Sequence, residues 1–104
     1  MDQQEEIYTE NGSPILGKEE YIFWSTRMES YLKELEPSVW NAVITDYIPP
    51  KRIRSPSQNK SKKNNTYAIE AILDGISQYI KRNIGPCVST KELWVKLENL
   101  YANE

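Results

Sequence analysis

Histidine is absent from this 104-residue sequence, and cysteine occurs once, as Cys87. Without histidine, no serine–histidine or cysteine–histidine nucleophile pair can form. Zinc sites built from cysteine and histidine are excluded as well, because they need several such ligands. One cysteine cannot close an internal disulfide, so Cys87 is interpreted as a small apolar residue in a turn. This pattern favours a reducing compartment, and we expect a cytoplasmic protein.

Long apolar runs and glycine-rich phosphate loops are missing too. No run approaches the roughly 20 apolar residues that span a membrane, so we predict no membrane contact. The acid pairs Glu5-Glu6 and Glu19-Glu20 lie in polar surroundings, where nothing would separate the pKa values of their carboxyl groups. We therefore predict that the chain is not an enzyme. No catalytic residue, cofactor, metal or small-molecule substrate is predicted.

The apolar material is modest and rich in aromatic residues. Hydrophobic residues make up 38% of the chain and charged residues 27%, with three tryptophans and seven tyrosines. Burying one large side chain is worth about 1.5–3 kcal/mol, so a few aromatic anchors can decide stability. The three tryptophans are interpreted as core residues, with a ligand-binding aromatic cage as the alternative. The predicted structural core anchors are Tyr21, Trp24, Met28, Trp40, Leu93, Trp94 and Leu97.

Apolar residues recur at steps of three and four in four segments, which is the spacing of one helical stripe. Helices are predicted over about residues 18–36, 37–45 and 66–82, and from 89 to the end of the chain. Ser89 and Glu92 form a capping box at the start of the fourth helix. Gly75 interrupts the third helix and indicates a close crossing there. No segment alternates with a two-residue period, so we predict an all-α fold, a small bundle of four main helices.

Two polar segments accompany the predicted bundle. The acidic segment 1–12 is predicted to be a flexible tail, and the helical domain is predicted to cover residues 13–104. Residues 49–65, between the second and third helices, contain three prolines and one apolar residue. We therefore predict a long, mobile, basic loop there. Its basic residues are Lys51, Arg52, Arg54, Lys60, Lys62 and Lys63.

These six residues have no acidic residue among them, whereas the whole chain holds 13 basic and 15 acidic residues. Without the six, 7 basic residues stand against 15 acidic ones, a net charge of −8. Two interpretations stay open. The loop is either a solvated segment, or a contact for anions such as RNA phosphates or the acidic body of a neighbouring subunit. It lacks interleaved aromatic residues for base stacking, so RNA binding through it would be weak and sequence-independent.

Several runs of residues follow one another in the order of a known family. The first predicted helix carries Tyr21, Trp24, Met28 and Leu32. The second helix and its exit carry Trp40, Val43, Tyr47 and Pro49-Pro50, and the third carries Ala68, Ile72 and Leu73. The fourth carries Ser89 to Trp94, then Leu97 and Tyr101. From about Leu16 to Tyr101, the chain resembles the amino-terminal capsid region of copia-type LTR retrotransposon Gag proteins. Two positions depart from the family pattern, with Glu20 in place of asparagine and Asp46 in place of glycine.

The resemblance implies a structural role, in which the domain associates with itself or with other Gag chains to build virus-like particles. One alternative is a domesticated Gag-like adaptor or restriction factor that binds another protein. A second alternative is weak, non-specific RNA binding through residues 51–63. The family's carboxy-terminal capsid region would follow Tyr101, and its zinc knuckle is not found in the sequence, so the resemblance does not carry RNA packaging to this chain. An excised domain and a truncated or domesticated relative both stay open.

Overall fold

The computed structural model describes residues 8–17 and 21–102. These residues form five helices and no strand, which confirms the predicted all-α fold. The helices are α1 Tyr21–Leu35, α2 Asn41–Ile44, α3 Pro56–Asp74, α4 Gln78–Ile84 and α5 Thr90–Ala102. The nearest approach to a sheet in the described ranges is one isolated antiparallel bridge, between Tyr8 and Pro14. None of the described helices has both the length and the apolar character needed to cross a membrane.

The core is built from one face of each long helix. On α1, the four-residue steps from Trp24 to Met28 to Leu32 put three side chains on one face, and all three are fully buried. Ile72 of α3 and Leu97 of α5 are fully buried as well. Helix α2 packs against α3 and α5, α1 packs against α3, and α4 packs against α5. The fold therefore has one core, closed on one side by the short α2.

Helix α3 begins much earlier than predicted, at Pro56, and this shortens the basic loop. Ser55 accepts a hydrogen bond from the Gln58 N–H at 3.2 Å, and the Gln58 side chain accepts one from the Arg54 N–H at 2.6 Å. This arrangement resembles a capping box, with the Gln58 side chain reaching the residue before the capping serine, and proline is favoured at the first helical position. The prediction of one long loop over 49–65 is therefore corrected: residues 56–65 are helical, because a local start signal outweighs their polar composition.

The predicted third helix is two helices, separated at Gly75. A β-carbon at Gly75 would lie 2.1 Å from the carbonyl oxygen of Pro14, and the Leu16 N–H donates to the Gly75 carbonyl oxygen at 2.7 Å. The expected close approach exists, but the partner is the segment 13–16 rather than a helix. The next helix, α4, begins directly after Ser77. The Ser77 hydroxyl accepts a hydrogen bond from the Ile80 N–H at 3.3 Å and caps α4.

Residues 8–12, predicted as part of a flexible tail, form a turn on the helical body. The Thr9 N–H donates to the Ser13 carbonyl oxygen at 2.8 Å, and the Thr9 hydroxyl donates to the Asp74 carboxylate. Tyr31 of α1 donates to the Asn11 carbonyl oxygen at 3.1 Å. These contacts correct the tail prediction for residues 8–12, while residues 1–7 lie outside the described part of the chain.

The start of α5 agrees with the sequence pattern. The Glu92 N–H donates to the Ser89 hydroxyl at 3.1 Å. The Glu92 carboxylate accepts a second hydrogen bond, from the Val88 N–H at 3.0 Å. The first bond satisfies an N–H of the first turn that has no partner within the helix, and the second satisfies the N–H of the residue before the capping serine. The predicted cap by Ser89 is confirmed, while the Glu92 carboxylate reaches one residue further back than a capping box requires, to Val88 instead of Ser89.

Candidate functional site

The predicted core anchors lie in or against the core. Trp24, Met28, Leu93 and Leu97 are buried, whereas Tyr21, Trp40 and Trp94 are partly buried and pack against the buried set. The Trp94 ring stacks on Trp24 with centroids 5.9 Å apart, and it meets Trp40 edge to face at 5.5 Å. Because Trp94 contacts both other rings and all three pack in or against the core, they form part of the packed core rather than the walls of a ligand cage.

A buried polar cluster joins α3 to the start of α5, and the sequence analysis missed it. The Asn65 side-chain oxygen accepts from the Thr90 N–H at 2.8 Å, and the Asn65 side-chain nitrogen donates to the Val88 carbonyl oxygen at 3.1 Å. The Thr90 hydroxyl lies 2.9 Å from both the side-chain and the main-chain oxygen of Asn65. Every partner is internal, so this cluster has a structural role. In the sequence, this cluster is indicated by the polar pair Asn64-Asn65, which lies one helical turn before the apolar stripe of α3.

The extended segment that follows α2 forms a ridge between two grooves. A groove of about 700 Å³ separates it from α3, and a shallower one of about 530 Å³ separates it from α5. Asp46 and Tyr47 line both grooves. Ser89 donates a hydrogen bond to the Asp46 carboxylate at 2.8 Å, which ties the ridge to the start of α5. Ile48, at the outer edge of the ridge, is 80% exposed.

The six predicted contact residues fall on two elements and are all exposed. Lys51, Arg52 and Arg54 lie on the extended segment, and Lys60, Lys62 and Lys63 lie on the first half of α3. Together they are called the basic end of the molecule. The capping box at Ser55 holds the two groups next to each other.

One member of the basic end has a partner within the chain. The Lys60 ammonium lies 3.1 Å from the Glu36 carboxylate. Hydrogen bonds from Lys60 and Ser38 lower the pKa of the Glu36 carboxyl below its usual range. The basic end can therefore bind a carboxylate, and it does so once inside this fold.

Apolar side chains on the outside of α1 form a second candidate surface. Ile22 and Phe23 are 65% and 57% exposed. They lie on the side of the helix away from the buried stripe of Trp24, Met28 and Leu32. This pair is called the outer α1 pair. The pair is not among the predicted contact residues, although two adjacent large apolar residues outside a helical stripe are a signal that the sequence contains.

Among the described residues, few side chains have the properties of a nucleophile, a general base or a metal ligand. Burial raises the pKa of the Cys87 thiol, which disfavours the reactive thiolate. Burial also raises the pKa of the Tyr21 hydroxyl, with the nearby Glu98 carboxylate as the second cause. Among the described residues, no three acidic or cysteine side chains gather as a metal site would require.

Comparison with known proteins adds no assignment: no family model, no curated protein and no solved structure matches the chain. The likeness to Gag proteins therefore stays a hypothesis that depends on the residue pattern described above.

Proposed function

We propose that the chain is a structural assembly domain, similar in role to the amino-terminal capsid region of copia-type retrotransposon Gag proteins. In this role it binds further copies of itself or other Gag chains, as the protein of a transposable element that builds virus-like particles. The helix order and the placement of Trp24, Met28, Leu93 and Leu97 in one core support the proposal. So does a surface whose notable features are exposed apolar and charged side chains rather than reactive ones.

The observation that carries the proposal is the outer α1 pair. Ile22 and Phe23 are adjacent and both more than half exposed, so they form a small apolar patch that contact with a second chain would cover. Thr26 and Ser30 occupy the positions that follow on the same side of α1, and both are exposed. Covering one such side chain is worth about 1.5–3 kcal/mol, which gives a weak contact on its own. Many weak contacts become strong when copies are held together in a particle.

The test replaces the pair by serine, as Ile22→Ser with Phe23→Ser. Sedimentation equilibrium across a concentration series measures self-association. Tyr79→Ser serves as the control because Tyr79 is 76% exposed and lies on α4, away from the pair. We expect the double variant to associate more weakly than the wild type with an unchanged melting temperature, and the control to behave as the wild type. Association of the double variant at wild-type strength would overturn this role of α1.

The adaptor is a second candidate, and the two grooves beside the ridge favour it. The larger groove combines apolar Ile48 and Pro50 with the amides of Asn41 and Gln58, a mixture suited to a peptide segment. Its test is a titration of isotope-labelled protein with a copia-type Gag capsid fragment, followed by NMR. Chemical-shift changes confined to residues 41–48 would favour the adaptor role, whereas chemical-shift changes confined to the outer α1 pair would favour the assembly role.

A further inference from the structure

The charges of α3 run against the dipole of the helix. Its first turn contains no acidic residue and its last turn no basic residue. Arg54 instead lies directly before the capping residue, and Asp74 is the last residue of the helix. A basic group at the start of a helix and an acidic group at its end are each unfavourable by roughly 0.3–1 kcal/mol when exposed. The arrangement costs a little stability in the isolated chain, and a partner of opposite charge at either end would relieve that cost.

The carboxyl end of α3 is acidic. Glu70 and Asp74 lie there with no basic residue after Lys63 on the helix. The hydrogen bond from Thr9 to Asp74 brings the turn that carries the exposed Glu10 to the same place. Glu10, Glu70 and Asp74 are called the acidic end of the molecule.

The two ends cannot neutralise each other within one copy. From Arg54 to Asp74, a helix rises by about 1.5 Å per residue, which places these charges about 30 Å apart. The screening length at physiological salt is about 8 Å, so the attraction between them is negligible. Opposite charges at two ends of one rigid helix can, however, meet between two copies.

The internal pairing of the basic end indicates the chemistry of its partner. Lys60 already binds the Glu36 carboxylate at 3.1 Å, whereas Lys62 and Lys63 project from the exposed side of α3. We propose that the basic end of one copy docks onto the acidic end of a second copy, in a head-to-tail contact. This inference rests on the proposed assembly function and names the partner surface within it.

A contact between two different surfaces does not close on itself after two copies. It generates a ring when the rotation between neighbours closes, and an open filament when it does not. In such an assembly, both the basic and the acidic end of each copy are paired with opposite charge. A nucleic acid would pair only the basic end and would leave Glu10, Glu70 and Asp74 without positive partners. The acidic end therefore favours a second copy over RNA as the occupant.

Two charge reversals test the contact, one at each end. Lys62→Glu with Lys63→Glu reverses the basic end, and Glu10→Lys with Glu70→Lys reverses the acidic end. All four side chains are exposed. Exchanges between lysine and glutamate at exposed positions change stability little, so folding is expected to be kept. Arg82→Glu with Lys91→Glu is the matched control, because it makes the same change in net charge as the first reversal, at exposed positions on α4 and α5.

Sedimentation equilibrium at 50 mM and 500 mM salt measures the association constant of each protein. We expect the wild type to lose about tenfold at the higher salt, and each reversal to lose about tenfold at the lower salt. The control should match the wild type. An equimolar mixture of the two reversed proteins should regain wild-type association, because each reversed surface then meets its new complement.

Other outcomes separate this inference from the proposed function. Wild-type self-association that neither reversal weakens would overturn the head-to-tail contact and leave assembly through the outer α1 pair standing. A mixture that fails to regain association would also overturn it. Fluorescence anisotropy with a single-stranded RNA oligonucleotide completes the test. RNA affinity lost in the Lys62→Glu, Lys63→Glu protein, with self-association unchanged, would assign the basic end to nucleic acid instead.

Discussion

Gly75 and Pro14 approach so closely that a β-carbon at position 75 would lie 2.1 Å from the Pro14 carbonyl oxygen. The same carbonyl oxygen accepts a hydrogen bond from the buried indole nitrogen of Trp24 at 3.0 Å. The amino-terminal segment is thereby fixed to α1 and to the junction between α3 and α4. This one crossing explains why residues 8–17 belong to the folded body and why the third predicted helix is interrupted.

Gly75→Ala is therefore expected to destabilise the fold. Alanine would tolerate the backbone conformation, so the cost comes from moving Pro14 or α3, about 1–3 kcal/mol for overpacking. In a domain of this size, that lowers the melting temperature by several degrees. Gly17→Ala is the control, since no atom of the described residues lies within 4 Å of a β-carbon built there. Equal melting temperatures for the two variants would contradict the close approach.

Asn65→Ala should cost about 1–3 kcal/mol, because it leaves the buried Thr90 N–H without its hydrogen-bond acceptor. Thermal or urea unfolding measures the loss. Asn59→Ala, at an exposed position on the same helix, should change stability by only a few tenths of a kcal/mol. If both variants unfold at the wild-type midpoint, the buried cluster does not join α3 to α5.

Ser55→Ala tests the corrected start of α3. The Ser55 hydroxyl accepts the Gln58 N–H, and loss of such a cap costs about 1 kcal/mol. Hydrogen exchange should become faster at residues 57–63 and stay unchanged in α5. Ser61→Ala, an exposed serine within α3, is the control and should leave the exchange pattern as it is. Fast exchange at 57–63 in the wild type would favour the originally predicted loop instead.

The stability of the fold should fall above the ordinary pKa of tyrosine. Burial raises the pKa of Tyr21, so the folded state holds this proton more tightly than the unfolded state does. The contribution of Tyr21 is fully present below about pH 10 and is lost as the pH rises further. Urea midpoints measured from pH 8 to pH 11 should decline less steeply for Tyr21→Phe than for the wild type. Parallel declines would show that Tyr21 titrates alike in both states.

Local signals in the sequence predict much of the fold. The stripe of Trp24, Met28 and Leu32 and the capping box at Ser89 predict α1 and α5, since helical spacing and capping act over a few residues. The start of α3 was equally local, as Ser55 and Gln58 have the spacing of a capping box. The start of α3 was missed because residues 56–63 contain no apolar side chain apart from Pro56 and therefore show no apolar stripe at helical spacing.

The break between α3 and α4 had no complete local signal. It depends on Pro14, 61 residues before Gly75, and such contacts are set by tertiary packing. The candidate surfaces likewise combine features that local sequence predicts with features that depend on tertiary packing. The basic residues were visible as a run of charge. The placement of Lys60, Lys62 and Lys63 on a helix whose other end is acidic depends on the corrected start of α3. Asn65 looked like a loop residue until its partner Thr90 was known.

Sedimentation equilibrium of the unmodified protein, from micromolar to millimolar concentration at low salt, tests the central claim of assembly most directly. Assembly requires a weight-average mass that rises reversibly with concentration, and the head-to-tail contact requires in addition that this mass falls when salt is added. A mass that stays at the 12.1 kDa of one chain over the whole range would contradict it.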